Sequence, residues 1–393
     1  MTSIVLAGIG HGHLHVLTAW RKHPLPNARL VCLNEFPNAS YSGMLPGVLA
    51  GLYQPQQINI DLEAACRAAG AELHIGEIID VDTARRSLLI RDGRRVSFDI
   101  LSIDTGSVPQ QADAQRDATV VSIKPMQTLL ERLSARIALW YTPQREVALL
   151  PAFRVTVVGG GAGGVELAFC LPAFVERELS RLRSNDVAAP ASAPRVKMTL
   201  LHGAAQLGSG STDKTRTVAA KLLRDRGVNL LLGRQATRIT DGEIFLDDGS
   251  VVSADLVVWA THAAPSPLLA KIDLPKDEHG FLLTDVYLRS TSGQPVMAVG
   301  DCASGTQRRA PKAGVIAVHQ GPVLWNNLSR LVDGDKNLAP FTPQTDFLKL
   351  FNTADGRTLL EYRSMTIHSR WCWWLKDWID RRFVARHRDA AHF

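Results

Sequence analysis

No cysteine pair suited to redox relay occurs in this sequence. Cys32, Cys66, Cys170, Cys302 and Cys372 are scattered, and none shares the short spacing of a catalytic dithiol or a metal knuckle. Disulfide-exchange chemistry is excluded, and a reduced, cytoplasmic setting fits. A run of ~18 apolar residues is also missing, so no spanning helix is expected. The apolar N-terminal stretch lacks a preceding basic region and ends in a glycine-rich turn, which reads as a buried first strand instead of a signal peptide. Low-complexity tracts are absent, and 46% hydrophobic with 21% charged residues describes an ordinary globular chain. The net charge is only +6. Its excess gathers at Arg370, Lys376, Arg381, Arg382, Arg386 and Arg388, with no nucleic-acid-binding module beside it, so a nucleic-acid partner is excluded.

What is present is one pattern written twice. An apolar strand, Ser3 to Ala7, runs into Gly8-x-Gly10, and a second, Arg154 to Val158, runs into Gly159-x-Gly161-x-x-Gly164. Gly70-x-x-Leu73-x-x-Gly76 is matched by Gly227-x-x-Leu230-x-x-Gly233, and Asp92-Gly93 by Asp248-Gly249. Seven residues after each of those turns, Asp99 and Asp255 open apolar strands that end at Thr105 and Thr261. The offsets of 151, 157 and 156 keep the copies in register. Each copy reads as a dinucleotide-binding unit, whose glycines let backbone approach a pyrophosphate at a helix N-terminus. Two units in one chain point to a flavin dinucleotide facing a nicotinamide dinucleotide.

The 393 residues suffice for two or three domains. The fold expected is α/β, with two doubly wound Rossmann-like domains, the second inserted in the first, plus a small C-terminal region. The divisions are 1–110 and 265–330 for the first domain, 111–264 for the second with its lead-in helix, and 331–393 for the C-terminal region. That lead-in helix is expected over Met126 to Tyr141, with an apolar stripe of Leu129, Leu130, Leu133, Ile137 and Leu139, and a loop over Ser184 to Pro194.

Glu35 closes the strand Leu30 to Leu33, 22 positions past the first phosphate turn, where an acid binds adenosine ribose hydroxyls. In the first turn, Gly8, Gly10, His11, Gly12 and His13 are the cofactor-binding candidates, although His13 stands where a third glycine would pack helix on strand. His11, His13 and His15 are not expected to bind a metal, because alternate positions entering a helix point different ways.

The two glycine loops, Thr105-Gly106, the strand Val296 to Gly300 followed by Asp301-Cys302-Ala303, and Pro311 to Gly314 followed by His319-Gln320-Gly321 resemble the FAD-dependent pyridine nucleotide-disulfide oxidoreductase superfamily. Tyr41 to Gly47 and Trp374 to Arg382 are similar to the flavoprotein module fused to selenide water dikinase, itself similar to type II NADH dehydrogenases and sulfide:quinone reductases. The resemblance implies FAD and NAD(P)H as cofactors. It places Gly300 and Asp301 at the FAD ribityl chain, Thr105 and Gly106 at the cofactor, and Pro46 with His319, Gln320 and Gly321 beside the isoalloxazine. Glu166 has two readings: the acid that relatives place near the nicotinamide–flavin stack, or a first-turn glutamate favoured by the helix dipole. Pro46, Glu166 and Gln320 are the catalytic candidates. Gly159, Gly161, Gly164 and His202 are the candidates for the second nucleotide.

Several departures bear on mechanism. The missing dithiol means that the flavin itself meets the acceptor. His202 ends the second strand of the second unit in place of an acid for NADH or an arginine for NADPH, so selectivity is expected to be shallow, with NADPH gaining as pH falls. His262 and Asp104 also replace small residues. The function expected is passage of electrons from NAD(P)H through FAD to a small or quinone-like acceptor. The rivals are a nicotinamide-independent flavoprotein oxidising a sulfur or selenium species, and a flavin-bearing sensor or partner protein. Trp371, Trp373, Trp374 and Trp378 do not fall on one clean stripe in this reading. The terminal segment is expected to pack across the flavin domain, with peripheral contact at the inner membrane face or a homodimer contact as its other readings.

Overall fold

A computed structural model describes residues 1–110, 117–144, 151–184, 195–208 and 210–388. Its frame is two five-stranded parallel sheets built to the same plan. The first runs, edge to edge, Val296–Ala298, Ile100–Ile103, Thr2–Ala7, Ala28–Asn34 and Glu72–Ile75. The second runs Val120–Ser122, Leu256–Trp259, Phe153–Val158, Val196–His202 and Asn229–Leu232. Helices cover these sheets, so the strands are apolar along their length instead of alternating; Ile4 to Ala7 and Leu256 to Val258 are all buried.

The repeated aspartates pin the register. Asp99 Oδ2 accepts a hydrogen bond from the Ser3 N–H at 2.7 Å, and Asp255 Oδ2 accepts one from the Arg154 N–H at 2.8 Å. Each ties the start of the central strand to the start of its neighbour. Between Glu72–Ile75 and Ile100–Ile103 in the first unit, and between Asn229–Leu232 and Leu256–Trp259 in the second, the chain forms a three-stranded antiparallel sheet whose second turn holds a glycine in the left-handed region, Gly93 at φ +93° and Gly249 at φ +82°.

The strand Val296–Ala298 pairs with Ile100–Ile103, so the chain does return to the first sheet after the second unit. The lead-in differs from expectation in its ends: a 3-10 turn, Met126–Thr128, precedes a helix over Leu129–Gln144. Leu129, Leu133 and Ile137 are buried, but Leu139 is 67% exposed and off the apolar stripe. The second phosphate helix, Ala162–Ser184, is long enough to reach the expected loop, whose residues 185–194 lie outside the described residues.

After residue 331 the chain forms a three-stranded antiparallel sheet and a terminal helix, Arg370–His387, capped by Ser369, whose Oγ accepts from the Cys372 N–H at 3.3 Å. This helix lies on the first phosphate helix, His11–Lys22, where Thr18 Oγ1 and His387 Nδ1 meet at 2.7 Å. Phe383 stacks on Tyr41 with ring centroids 4.3 Å apart. The four tryptophans do not share one stripe, as expected, but three of them do. Trp371, Trp374 and Trp378, spaced three and four apart, are 48%, 67% and 57% exposed and share one face. Only Trp373 turns inward, against Tyr53.

Candidate functional site

Both glycine loops open on one cleft of about 1400 Å³, beyond the ~300–1,000 Å³ usual for one small ligand. Gly8, Gly10 and His11 line one half, and Gly159, Gly161 and Gly164 the other. The loops are glycine-rich for steric reasons. A Cβ on Gly159, at φ +118°, would stand 2.2 Å from the Ala260 carbonyl oxygen, and one on Gly164 would stand 1.7 Å from that of Gly159. Gly161 meets nothing within 4 Å, which leaves the open cradle a pyrophosphate needs. In the first unit the tight approach is to Asp104, whose carboxylate would lie 2.5 Å from a Cβ on Gly10.

Asp104 also reassigns two candidates. Its Oδ2 accepts the N–H groups of Gly12 and His13 at 3.0 and 3.2 Å, capping the first phosphate helix from within. Burial pushes the Asp104 carboxyl up to about 7, against those two hydrogen bonds. The His13 ring is wholly buried and turned away, with Nε2 2.8 Å from Ser102 Oγ and Nδ1 at the Gly8 carbonyl. Gly12 and His13 are not among the cleft-lining residues. The close approach here is between helices instead, where a Cβ on Gly321 would stand 3.1 Å from the Gly12 carbonyl oxygen.

The ends of the second strands set the equivalence of the two units one residue away from the expected one. Gly8 N–H donates to the Leu33 carbonyl, and Gly159 N–H to that of Leu201, so Leu33 corresponds to Leu201 and Asn34 to His202. The side chains agree: Asn34 Oδ1 accepts from the Ile9 N–H at 2.9 Å, and His202 Nδ1 accepts from the Gly160 N–H at 3.1 Å. His202 therefore holds the phosphate loop from beneath. Burial, with His262 nearby, lowers its pKa, and Nδ1 must be unprotonated to accept the Gly160 N–H, so both favour the neutral ring. The residue in the place of Glu35 is Gly203.

Asp301 sits at the cleft wall, accepting from Ser107 Oγ at 3.0 Å and paired with Lys124 Nζ at 3.4 Å. Gln320 is placed differently from expectation: it is buried outside this cleft, and its Oε1 accepts from the Gly300 N–H at 2.7 Å. It fixes the turn that presents Asp301. His319 does not line the cleft either. Thr105 and Gly106 do, and Thr105 Oγ1 is buried without a partner, an acceptor or donor awaiting a ligand. No cysteine lines the cleft, and the Cys302 thiol, pushed up to about 12 by burial, donates to the Ile103 and Val299 carbonyls.

Where the halves meet stand Pro46 and Glu166, both in the cleft wall. Glu166 Oε1 accepts from the Asn352 N–H at 2.7 Å, and burial pushes its carboxyl up to about 7 despite Lys376 nearby. Lys376, 5% exposed, donates to the Gly43 carbonyl at 2.8 Å and to Asp380 Oδ2 at 2.9 Å. Burial opposes its charge, but Asp380 and Glu166 more than offset that and raise its pKa. Tyr41, raised by burial and by Asp380, completes a buried polar cluster that joins the terminal helix to the cleft. The sequence holds one signal for it, the i,i+4 pair Lys376 and Asp380. Lys124 was missed altogether.

The family profile for pyridine nucleotide-disulphide oxidoreductase matches residues 2–321. This chain belongs to that family. It is 32% identical over 174 residues to the internal alternative NAD(P)H-ubiquinone oxidoreductase A1, mitochondrial, of Arabidopsis thaliana, covering 43% of this chain and 32% of that protein. It is 22% identical over 312 residues to the NADH dehydrogenase-like protein YutJ of Bacillus subtilis, covering 77% of each. The chain spans about a third of the length of the first relatives it matches. Among solved structures, NDH2 from Plasmodium falciparum in complex with NADH superposes with a TM-score of 0.80 at 13% identity, covering 98% of this chain and 97% of that one. The sulfide:quinone oxidoreductase of Aquifex aeolicus gives 0.75 at 14% identity, covering 100% and 94%. These likenesses show the fold. The family match supports FAD and a pyridine nucleotide as the cofactors of the two units.

Proposed function

We propose that the protein is an FAD-dependent NAD(P)H dehydrogenase that passes electrons to a small, quinone-like acceptor without a redox disulfide. The observation that carries this reading is the single cleft shared by two phosphate loops, with no cysteine in its wall. Residues 1–110 and 265–330 are the FAD domain, 111–264 the nicotinamide domain and 331–393 an interface region.

Bound FAD supplies the acceptance of hydride and the onward release of electrons. Gly8, Gly10 and His11 hold its pyrophosphate, Glu35 its adenosine ribose and Asp301 its ribityl hydroxyls, with Ser107 and Lys124 orienting the Asp301 carboxylate. Gln320 keeps Gly300 in place. Pro46 shapes the wall at the ring. Gly159, Gly161 and Gly164 hold the second pyrophosphate. Glu166, with a pKa near neutrality, holds or releases a proton at its carboxyl, and Lys376 and Asp380 set how readily. Relatives are named for ubiquinone, an apolar acceptor. After anaerobic reduction by NAD(P)H, a short-chain quinone should restore the flavin colour and a disulfide should not; recovery by the disulfide alone would overturn the acceptor assignment.

The exposed face of Trp371, Trp374 and Trp378, with Arg381 and Arg382 following, suits a membrane interface, where indole rings sit at headgroup depth and guanidinium groups meet anionic lipid. No helix among the described residues is long and apolar enough to cross a membrane. The proposed location is cytoplasmic and peripheral, checked by flotation with vesicles containing anionic phospholipid.

A further inference from the structure

The two units can be compared position by position at the end where a dinucleotide's adenosine ribose lies. Asn34 pairs with Ile75 in the first sheet, and His202 with Leu232 in the second, so Ile75 corresponds to Leu232 and Glu77 to Arg234. Both Glu77 and Arg234 line the cleft. The first unit therefore presents two carboxylates there, Glu35 and Glu77, whereas the second presents Gly203 and Arg234. The supporting ion pair is reversed as well: Glu77 is held by Arg91 at 2.6 Å, and Arg234 is held by Asp248. Among the described residues, the carboxylates lining the cleft are Glu35, Glu77, Asp104, Glu166 and Asp301, and none stands at the end of the second unit's second strand.

That charge reversal has a chemical meaning. A carboxylate at this place accepts the 2′- and 3′-hydroxyls of an unsubstituted ribose and repels a 2′-phosphate; a guanidinium does the opposite and bonds phosphate in a bidentate fork. Arg234 follows Gly233 and its N–H donates to the His202 carbonyl at 3.1 Å, so its backbone is fixed beside the Gly203–Ala204 turn. Asp248 does not line the cleft; it holds the guanidinium from behind. Gly203 leaves the space in front, since a Cβ there would meet only Gln235 Cβ at 3.8 Å.

We infer that the second unit selects NADPH over NADH, with Arg234 as the residue that recognises the 2′-phosphate. This rests on the reading of the second unit as a nicotinamide site. Two measurements on the FAD-loaded protein test it separately from that reading. By calorimetry, 2′,5′-ADP should bind more tightly than ADP, and Arg234→Ala should cut 2′,5′-ADP affinity about 10- to 100-fold while leaving ADP within about threefold. By rapid mixing, the NADPH concentration for half-maximal flavin bleaching should rise by the same factor, with that for NADH unchanged. Gly203→Glu, which the local space admits, should swing preference toward NADH. Equal binding of the two ADP forms, or Arg234→Ala moving both alike while flavin still bleaches, overturns the inference and leaves the dehydrogenase reading intact. Failure of both coenzymes to bleach flavin, with 2′,5′-ADP still bound through Arg234, supports the inference and removes the dehydrogenase reading.

Discussion

Replacing Asp104 by asparagine should stabilise the protein in a pH-dependent way. The Asp104 carboxyl is buried under the first phosphate loop, and its pKa rises from 3.8 to about 7. Between those values the folded state holds a proton that the unfolded state has released, so stability falls as pH rises through this window and levels off above about 7. At about 1.4 kcal/mol for each pH unit, the full cost of ionising Asp104 in place is roughly 4 kcal/mol. Roughly half of it accrues between pH 5.5 and 8.5. Asparagine keeps an oxygen to accept from Gly12 or His13 N–H and cannot ionise. Its advantage over the wild type should therefore grow by about 2 kcal/mol between pH 5.5 and pH 8.5, a few degrees of Tm, followed by thermal unfolding of the FAD-loaded protein at both values. Glu166, also raised to about 7 by burial, leaves a residual fall of the same sign in the variant. Parallel pH profiles for Asp104→Asn and wild type would refute the argument that the buried carboxyl carries this cost.

Glu35→Ala should weaken FAD by roughly 1.5–3 kcal/mol through loss of charge-assisted hydrogen bonds to the ribose, measured by equilibrium dialysis; unchanged occupancy when it is combined with Asp301→Ala would contradict the first-unit assignment. Substitution of all five buried cysteines by alanine or serine, in a protein that still binds flavin, should leave NAD(P)H-driven reduction of an artificial acceptor largely intact, because none reaches the cleft. Lys376→Met should destabilise by roughly 3–5 kcal/mol by stranding Asp380, and Lys376→Met with Asp380→Leu by clearly less, as read from denaturant midpoints.

The parts of this fold that were legible were those whose cause is local. A glycine forced by a neighbouring carbonyl, or an aspartate that ties two strand starts, leaves the same mark in both copies, which is why Gly8, Gly159, Asp99 and Asp255 are legible. His202 was assigned to the ribose because counting along a strand does not show which residue folds back under the loop; the equivalence of Asn34 and His202 is visible only through their bonds to Ile9 and Gly160. Gln320 and His13 were misplaced for a related reason: a motif fixes a segment near a site but not the direction its side chains turn. The i, i+3, i+7 spacing of Trp371, Trp374 and Trp378 is helical in the sequence already, but only the packing of the helix shows that their face points outward. Arg234 and Lys124 stood outside every motif, and it is the pairing of strands and the course of the chain that bring them to the cleft.

The most direct test of the account is anaerobic mixing of the purified protein with NADPH and NADH while flavin absorbance is followed. FAD, not FMN, should accompany the chain, and its absorbance should bleach at lower concentration with NADPH than with NADH. A chain that carries FAD yet keeps its full absorbance with both coenzymes would contradict the claim that the two phosphate loops hold a flavin and its hydride donor in one cleft.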